Sequence, residues 1–447
     1  MTSIGEPVSI WKSVAPSSPK AAPRTVDETG IRRVLLEELA LKTIFLEGEL
    51  NLRELAERMG LSYPVVDELF QRLRKAQFCE VTGMAGGTHR VTLTAAGRAR
   101  AQDLLSRNSY AGVAPIPIAD YIAEVRSQSG GTVTAADVRR AFSPLVLGDD
   151  VLDELGVAIL SGTSMVLHGP TGTGKTAIAE HIPDIFHGGV WIPHAVEVDG
   201  QIITVYDPGS HRVLPGGGPG SELSAADMDR RWLLCERPTV VAGGELTIDM
   251  LDLQYNPSTG FYAAPLQMKA NNGVLVLDDF GRQRIRPEEL LNRWIVPLDR
   301  RVDFLTLQGG RKFAIPFEVL VVFSTNLDPR TGFAADGRAG VSDEAFLRRI
   351  PNKIDIGYAS REQFHEIFHR TCLQFGLEYD AALVDRLVDY LSELKQPLRP
   401  CYPRDIVRQI CWHASYANRT ATLDWPALEH ACHSYFLDKE PAAPITM

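Results

Sequence analysis

An α/β fold with a parallel central sheet, an all-helical C-terminal lid and a small N-terminal α+β unit is predicted by three apolar runs that each end on polar residues. The first run, residues 164–167, leads into Gly169-Pro170-Thr171-Gly172-Thr173-Gly174-Lys175-Thr176. The second, 274–277, ends on Asp278-Asp279, and the third, 319–324, on Thr325-Asn326. Short Val- and Leu-rich runs suit strands buried on both faces, and ligands of open parallel sheets gather at the carboxyl ends of such strands.

Each ending carries its own chemistry. The stretch from Gly169 to Thr176 is a complete phosphate-binding loop. Its glycines let backbone N–H groups turn toward phosphates, Lys175 reaches the β and γ oxygens, and the Thr176 hydroxyl can complete a Mg²⁺ shell. A helix expected from Ala177 points its positive end at the same anion. ATP and Mg²⁺ are therefore the expected ligands, adenine over guanine being the weaker part because no guanine-reading Asp motif is evident. Asp278 is the candidate metal ligand and Asp279 the candidate base for the attacking water; capping the turn at Phe280-Gly281 is the alternative role for Asp279. Asn326 can orient that water without adding charge, and a turn residue is its alternative.

With 447 residues the chain can hold two or three domains. A formal net charge of -10 argues against a protein that coats nucleic acid or adheres to membranes generally, while leaving room for a local basic patch. No stretch approaches bilayer length, so no membrane insertion is expected. Residues 1–25 are rich in Pro, Ser and Ala without a continuous apolar core of signal-peptide length. The six cysteines lack paired spacing, which suggests free thiols in a cytoplasmic setting; Cys411-Trp412-His413 and Cys432-His433 have no C-x-x-C partner, so zinc is not expected.

Along the chain, a flexible tail is expected over 1–30 and a compact unit over 31–107. Leu52, Leu55, Ala56 and Met59 recur at helical spacing, Gly60 stops that helix, and Ser62 with Pro64 opens the next, in which Val66, Leu69, Phe70 and Leu73 mark the buried face. Strand-like segments 78–82 and 89–94 flank Gly86-Gly87, and helix returns at 95–105. This order resembles a winged-helix domain, which implies binding to DNA or to a protein. The second helix carries Asp67 and Glu68 near its start, with Gln71, Arg72, Arg74 and Lys75 later. Residues 31–106 hold 11 Lys/Arg against 10 Asp/Glu, a balance of +1, so protein docking is favoured over DNA.

A linker is expected over 108–141, extended at 110–117 and helical at 118–128. The α/β domain is placed at 142–358, a helical lid at 359–440 and a tail at 441–447. Between the first two motifs the chain is long: 188–207 alternates as a hairpin, 215–220 is glycine-rich, and 243–272 brings Tyr255, Phe261 and Tyr262. Residues 301–316 read as a further hairpin.

Taken together, Gly169 to Thr176, the strand ending at Asp279 and Ser324-Thr325-Asn326 resemble the P-loop, acidic strand and sensor-1 elements of AAA+ ATPases, a likeness over about two-thirds of the chain. Residues 343–350, with Arg348 and Arg349, look like the family's arginine-finger segment, and Tyr402-Pro403-Arg404-Asp405 looks like sensor 2. Residues 142–160 resemble the segment that covers the adenine ring. The inserts resemble those of the helix-2 and pre-sensor-1 branch, to which MoxR-type ATPases belong. The resemblance implies Mg²⁺-dependent ATP hydrolysis in a ring, a homo-hexamer, that remodels a protein client; it makes Phe261 and Tyr262 client-contact candidates, with core packing as the alternative. The family usually has Glu where this chain has Asp279, which withdraws the carboxylate by about 1.5 Å. A DNA-bound regulator, binding through residues 31–107, and a DNA motor are the rival functions, although the Gly-Ala-Phe-Thr-Gly-Ala loop of sigma-54 activators is missing.

Overall fold

The computed structural model describes residues 21–128, 133–215, 228–327, 329 and 348–436. The N-terminal unit runs α1 (Arg33–Glu47), β1 (Leu50–Asn51), α2 (Leu52–Met59), α3 (Tyr63–Lys75), β2 (Cys79–Ala85), β3 (Thr88–Leu93) and α4 (Ala95–Arg107). Asn51 starts α2 by accepting from the Arg53 and Glu54 amides while Glu54 reaches back to the Asn51 amide, and Gly60 ends the helix at φ 62°. The strands pair in the order β1-β3-β2 over a core that includes Leu36, Leu52, Val66, Phe70 and Val91.

Residues 21–30, expected within a flexible tail, belong to this core. Val26 and Thr29 are fully buried, the Val26 amide donates to Glu68 at 3.2 Å, and the Ser62 hydroxyl donates to the Pro23 carbonyl. An apolar residue that fills a gap beside α3 outweighs the chain entropy that composition alone suggests.

The stretch expected as a linker is likewise built in. It forms β4 (Ile116–Pro117), α5 (Ile118–Ser127) and α6 (Ala135–Ala141). Pro117 is tolerated because β4 is an edge strand. After α6 come α7 (Asp149–Ser161), β5 (Met165–His168), α8 (Lys175–His181), β6 (Val190–Pro193), β7 (Ala195–Val198), β8 (Gln201–Thr204), β9 (Trp232–Cys235) and β10 (Thr239–Ala242). Then follow β11 (Gln254–Asn256), β12 (Phe261–Ala263), α9 (Leu266–Lys269), β13 (Val274–Leu277), α10 (Pro287–Arg300), β14 (Val302–Thr306), β15 (Lys312–Pro316), β16 (Leu320–Thr325) and β17 (Asn352–Asp355). The helical lid comprises Arg361–Phe375, Ala381–Glu393, Tyr402–Tyr416 and Trp425–Phe436.

The central sheet has the order β10-β13-β16-β5-β17, and every pair in it is parallel. All five carboxyl ends therefore share one edge. Helices α6, α7 and α8 cover one face through Val138, Leu155, Ile159 and Ile178. Helix α10 covers the other through Leu290, Leu291 and Trp294.

A second sheet, β11-β12-β8-β7-β4, takes four strands from the insert between α8 and β13 and its edge strand β4 from ahead of α5. The expected hairpin over 188–207 is narrower than the sequence suggests: β7 and β8 turn at Asp199-Gly200, both at positive φ, whereas β6 pairs with β9. Of the glycine-rich stretch, 216–220 lies outside the described residues. Tyr262 is buried in the inserted core and its hydroxyl accepts from the Gln308 amide at 2.9 Å; Phe261 stands edge-on to Tyr110 at 5.5 Å. Tyr262 packs in the core, the alternative role expected for it, whereas Phe261 is half-buried. Strand alternation sends Tyr262 inward, while Phe261 on the other face is partly covered by Tyr110.

Contacts between the N-terminal unit and the insert are dense. Asn108 donates to the Gly260 carbonyl at 3.0 Å and the Ser109 amide to the Thr259 carbonyl at 2.7 Å. A side chain at Gly60 would meet Val113 at 2.7 Å and the Arg230 carbonyl at 3.2 Å. Arg231, 4% exposed, pairs with Asp229 at 2.8 Å and donates to the Thr29 carbonyl at 2.8 Å.

Candidate active site

Strand β5 delivers the chain into the glycine loop, and α8 begins at Lys175, two residues earlier than the sequence suggests. Gly169, Gly172 and Gly174 stand at φ 136°, 82° and 91°, values that an L side chain rarely adopts. A Cβ on Gly169 would also sit 2.3 Å from the Ile356 carbonyl. The loop is closed by Thr173, whose hydroxyl donates to the Pro170 carbonyl at 3.0 Å.

Lys175 curls over this loop. Its Nζ donates to the Gly169 carbonyl at 2.9 Å, the Pro170 carbonyl at 2.7 Å and Asn326 Oδ1 at 2.8 Å. Burial pulls its pKa down, while the charges of Asp278, Asp279 and Asp355 pull it back up. The next residue, Thr176, donates its hydroxyl to Asp278 Oδ2 at 2.9 Å.

Asp278 and Asp279 follow β13 directly. The Asp279 amide donates to Asp278 Oδ1 at 3.0 Å, and Asp279 itself takes φ 50°, a left-handed conformation unusual for a residue other than Gly, Asn or Asp. Asn326, one residue past β16, donates its Nδ2 to Asp279 Oδ1 at 3.1 Å. The ends of β5, β13 and β16 thus bring Lys175, Thr176, Asp278, Asp279 and Asn326 into one hydrogen-bonded set.

This set opens on a cleft of about 700 Å³. The loop residues Thr171 to Thr176 line it, with Leu145, Val146 and Leu147 on one side and the lid on the other. The lid contributes Arg404 and the neighbouring Cys401, whose amide donates to the Gly172 carbonyl at 3.3 Å. The core has the P-loop NTPase fold. Its strand order, in which the first strand β5 lies between the fourth and fifth, places the loop where the connections diverge to either side.

Comparison with known proteins adds little beyond that fold. A family model described as a domain of unknown function (DUF8689) matches residues 360–434, which is the lid. No curated protein matches the sequence. Among solved structures, a point mutant of RuvB from Thermotoga maritima is similar at 13% identity, covering 69% of this chain and 72% of that one, with a TM-score of 0.35. NtrX from Brucella abortus in complex with ATP is similar at 12% identity, covering 71% of this chain and 64% of that one, with a TM-score of 0.37. The fold assignment rests on strand order and loop geometry, not on these likenesses.

The remaining sequence candidates lie elsewhere. Residues 343–347 fall outside the described residues. Arg349 holds Asp299 of α10 through Nε, at 3.1 and 3.0 Å to the two carboxylate oxygens, and Arg348 is exposed. Neither lines the cleft of its own chain. Sequence reading missed the lid's cleft face: Gln363, Ile367, Arg370, Thr371 and Gln374 line it from one helix. Their spacing of three and four residues was a readable helical stripe, but polar members of a stripe usually face solvent.

As a pair, the Thr176 hydroxyl and Asp278 carboxylate suit Mg²⁺. Both are hard oxygen donors, and an ion that keeps most of its waters needs few protein ligands. No helix among the described residues is long and apolar enough to cross a membrane.

Proposed function

We propose that this protein binds ATP with Mg²⁺ in the cleft and hydrolyses it as an AAA+-type ATPase. The observation that carries the reading is the hydrogen-bonded set in which Lys175 and Thr176 of the loop meet Asn326 and Asp278 from two neighbouring strand ends. Gly172 and Gly174 free the loop backbone to wrap phosphate oxygens, and Lys175 leaves its carbonyl partners to take the β and γ oxygens. Thr176 and Asp278 would hold the Mg²⁺, which when bound draws negative charge from the phosphate oxygens. Asp279 accepts the proton of the attacking water, and Asn326 fixes its position. Arg404 approaches from the lid side, and Leu145 to Leu147 offer the apolar wall that a base ring needs.

Assembly of several copies into a ring, a hexamer by the family resemblance, is part of the same reading. Arg348 and Arg349 sit away from their own cleft, so a guanidinium from this segment serves a γ-phosphate only in a neighbouring copy. Arg348, the more exposed of the two, is the better placed to reach a neighbour. Inserts between α8 and β13 and between α10 and β16 support placement in the helix-2 and pre-sensor-1 branch, with work on a macromolecular client. For the N-terminal unit, protein docking is the better reading than DNA. Asp67 and Glu68 follow in the second turn of α3, residues 23–26 bond to its Ser62 and Glu68, and Arg72 is paired with Glu37 at 2.7 Å.

The test is retention of labelled ATP with and without Mg²⁺, followed by phosphate release. Wild-type protein is expected to retain ATP and release phosphate, and Lys175→Ala to lose affinity on the order of tenfold to a hundredfold. Failure of the wild type to retain ATP in excess Mg²⁺ overturns the reading.

A further inference from the structure

We propose that the outward face of the lid helix Tyr402–Tyr416 is a stacking platform for single-stranded nucleic acid, with Trp412 and Tyr416 under two successive bases and Arg408 and Arg419 on the phosphates. The proposal goes beyond the ATPase reading, because it names a partner and a surface outside the cleft.

The lid covers its aromatic side chains wherever its helices meet. Phe364, Phe368 and Tyr402 are buried, and Trp425 takes Arg386 over its ring at 3.8 Å and Tyr390 edge-on at 5.7 Å. Trp412 and Tyr416 are left out of that core, 61% and 93% exposed. Among the described residues neither ring has an aromatic or cationic partner. Positions four apart share one helix face, with about 5 to 6 Å between their Cβ atoms, so the two rings form a single exposed patch.

The same face is cationic. Arg408 stands one turn before Trp412, and Arg419, just past Tyr416, donates to His413 Nδ1 at 3.0 Å. Among the described residues neither arginine has a carboxylate within ion-pair distance. Asp405, the one acid on the helix, is held by the Tyr435 hydroxyl at 3.1 Å and by Arg404 at 3.4 Å. Besides these arginines, His413 and the two rings, the exposed positions from 404 to 419 are Ser, Ala and Asn. In a chain with 56 acidic against 46 basic side chains, that face is a local reversal of charge.

Charge and shape together select the occupant. Phosphates answer the arginines, and every base offers a π face to Trp or Tyr. A duplex does not fit, because its bases already stack at about 3.4 Å and leave no face free. An acidic protein segment would match the charge, but a Trp or Tyr that anchors protein sits in a desolvated, well-packed pocket. Here no exposed aliphatic side chain larger than Ala stands on the helix to build one. The helix begins at the cleft with Arg404, so a strand on Trp412 lies about 12 Å along the axis from the nucleotide site.

The experiment titrates the full-length chain into labelled oligothymidylate of about 20 nucleotides and reads anisotropy at several salt concentrations, with duplex DNA and polyglutamate as competitors. The wild type is expected to bind the single strand, more weakly as salt rises, and to be displaced by unlabelled single strand far better than by either competitor at equal charge. Trp412→Ala with Tyr416→Ala is expected to lose affinity on the order of tenfold per ring, whereas Trp412→Phe with Tyr416→Phe keeps it within about threefold. Arg408→Gln should lower the salt slope by about one. A urea denaturation curve for each variant, expected to match the wild type, shows that the lid is folded. No binding by the wild type at low salt, equal competition by duplex or polyglutamate, full affinity in the double Ala variant, or equal loss in the Phe and Ala variants overturns the proposal. So does mass that grows with concentration in the wild type but not in the double Ala variant, since a second copy would then cover the face. Oligonucleotide binding by a wild type that retains no ATP leaves the platform standing and sinks the ATPase reading alone.

Discussion

Asn326 bridges Lys175 and Asp279: its Oδ1 accepts from the lysine at 2.8 Å while its Nδ2 donates to the carboxylate at 3.1 Å. The amide therefore holds the general-base candidate and the phosphate-binding lysine in one chain of hydrogen bonds. A γ-phosphate that draws Lys175 away breaks one end of that chain and leaves the other to position water.

Asp279→Asn is expected to bind ATP as the wild type does while kcat falls on the order of 10² to 10⁴, because an amide accepts no proton from the water. Single-turnover hydrolysis beside a binding titration checks this. Wild-type turnover in that variant would assign the base elsewhere.

Arg348→Ala is expected to lower specific activity on the order of 10³ at concentrations where the chain assembles, and to have no effect where it is monomeric. Arg349→Ala should instead cost less than about 1 kcal/mol of stability, since its pair with Asp299 is partly exposed. Activity measured against protein dilution, alongside a denaturation curve for each variant, separates the two roles.

Asp229→Ala strands the Arg231 guanidinium in a site where both side chains are nearly inaccessible to water. A loss of about 3 to 5 kcal/mol is expected in urea denaturation, whereas replacing the pair together with Leu and Met should come close to neutral. A small loss in Asp229→Ala beside a large one in the double replacement would mean that the hydrogen bond to the Thr29 carbonyl, not the charge pair, is what holds.

Burial pushes the Lys42 amine down to about 8, with Glu38 opposing the shift, and its Nζ donates to the Asn108 carbonyl at 3.2 Å. Between that value and its ordinary pKa of 10.5 the unfolded chain binds the extra proton, so this group makes stability rise as pH increases through that window. Lys42→Met should flatten that part of the stability profile, read as the difference between the two proteins.

Local patterns were legible in the sequence wherever neighbours in the chain are also neighbours in the site. The glycine loop, Asp278-Asp279 after β13 and Asn326 after β16 all declare themselves through a strand and its ending. The cleft's lid wall did not, because Gln363, Arg370 and Gln374 acquire their place only when the lid folds back over the loop. The extended course of 110–117 was readable but the pairing of β4 was not, because a two-residue parallel strand exists only where Val196 and Glu197 lie beside it. Phe261 and Tyr262 show the ambiguity of aromatic residues in an insert, where spacing does not say whether another unit covers them.

Gly60 against the Arg230 carbonyl, Asn108 on Gly260 and β4 threaded beside β7 leave the front of this protein no slack. A load applied to residues 21–107 would therefore pull on the inserted sheet as on a lever fixed at its handle. That sheet joins β13 through the buried Asn271 and Asn272, which also tie to Tyr121 and to the Val125 carbonyl. Tension from outside is thus handed, without an intervening hinge of loose chain, to the strand on which Asp278 and Asp279 are mounted.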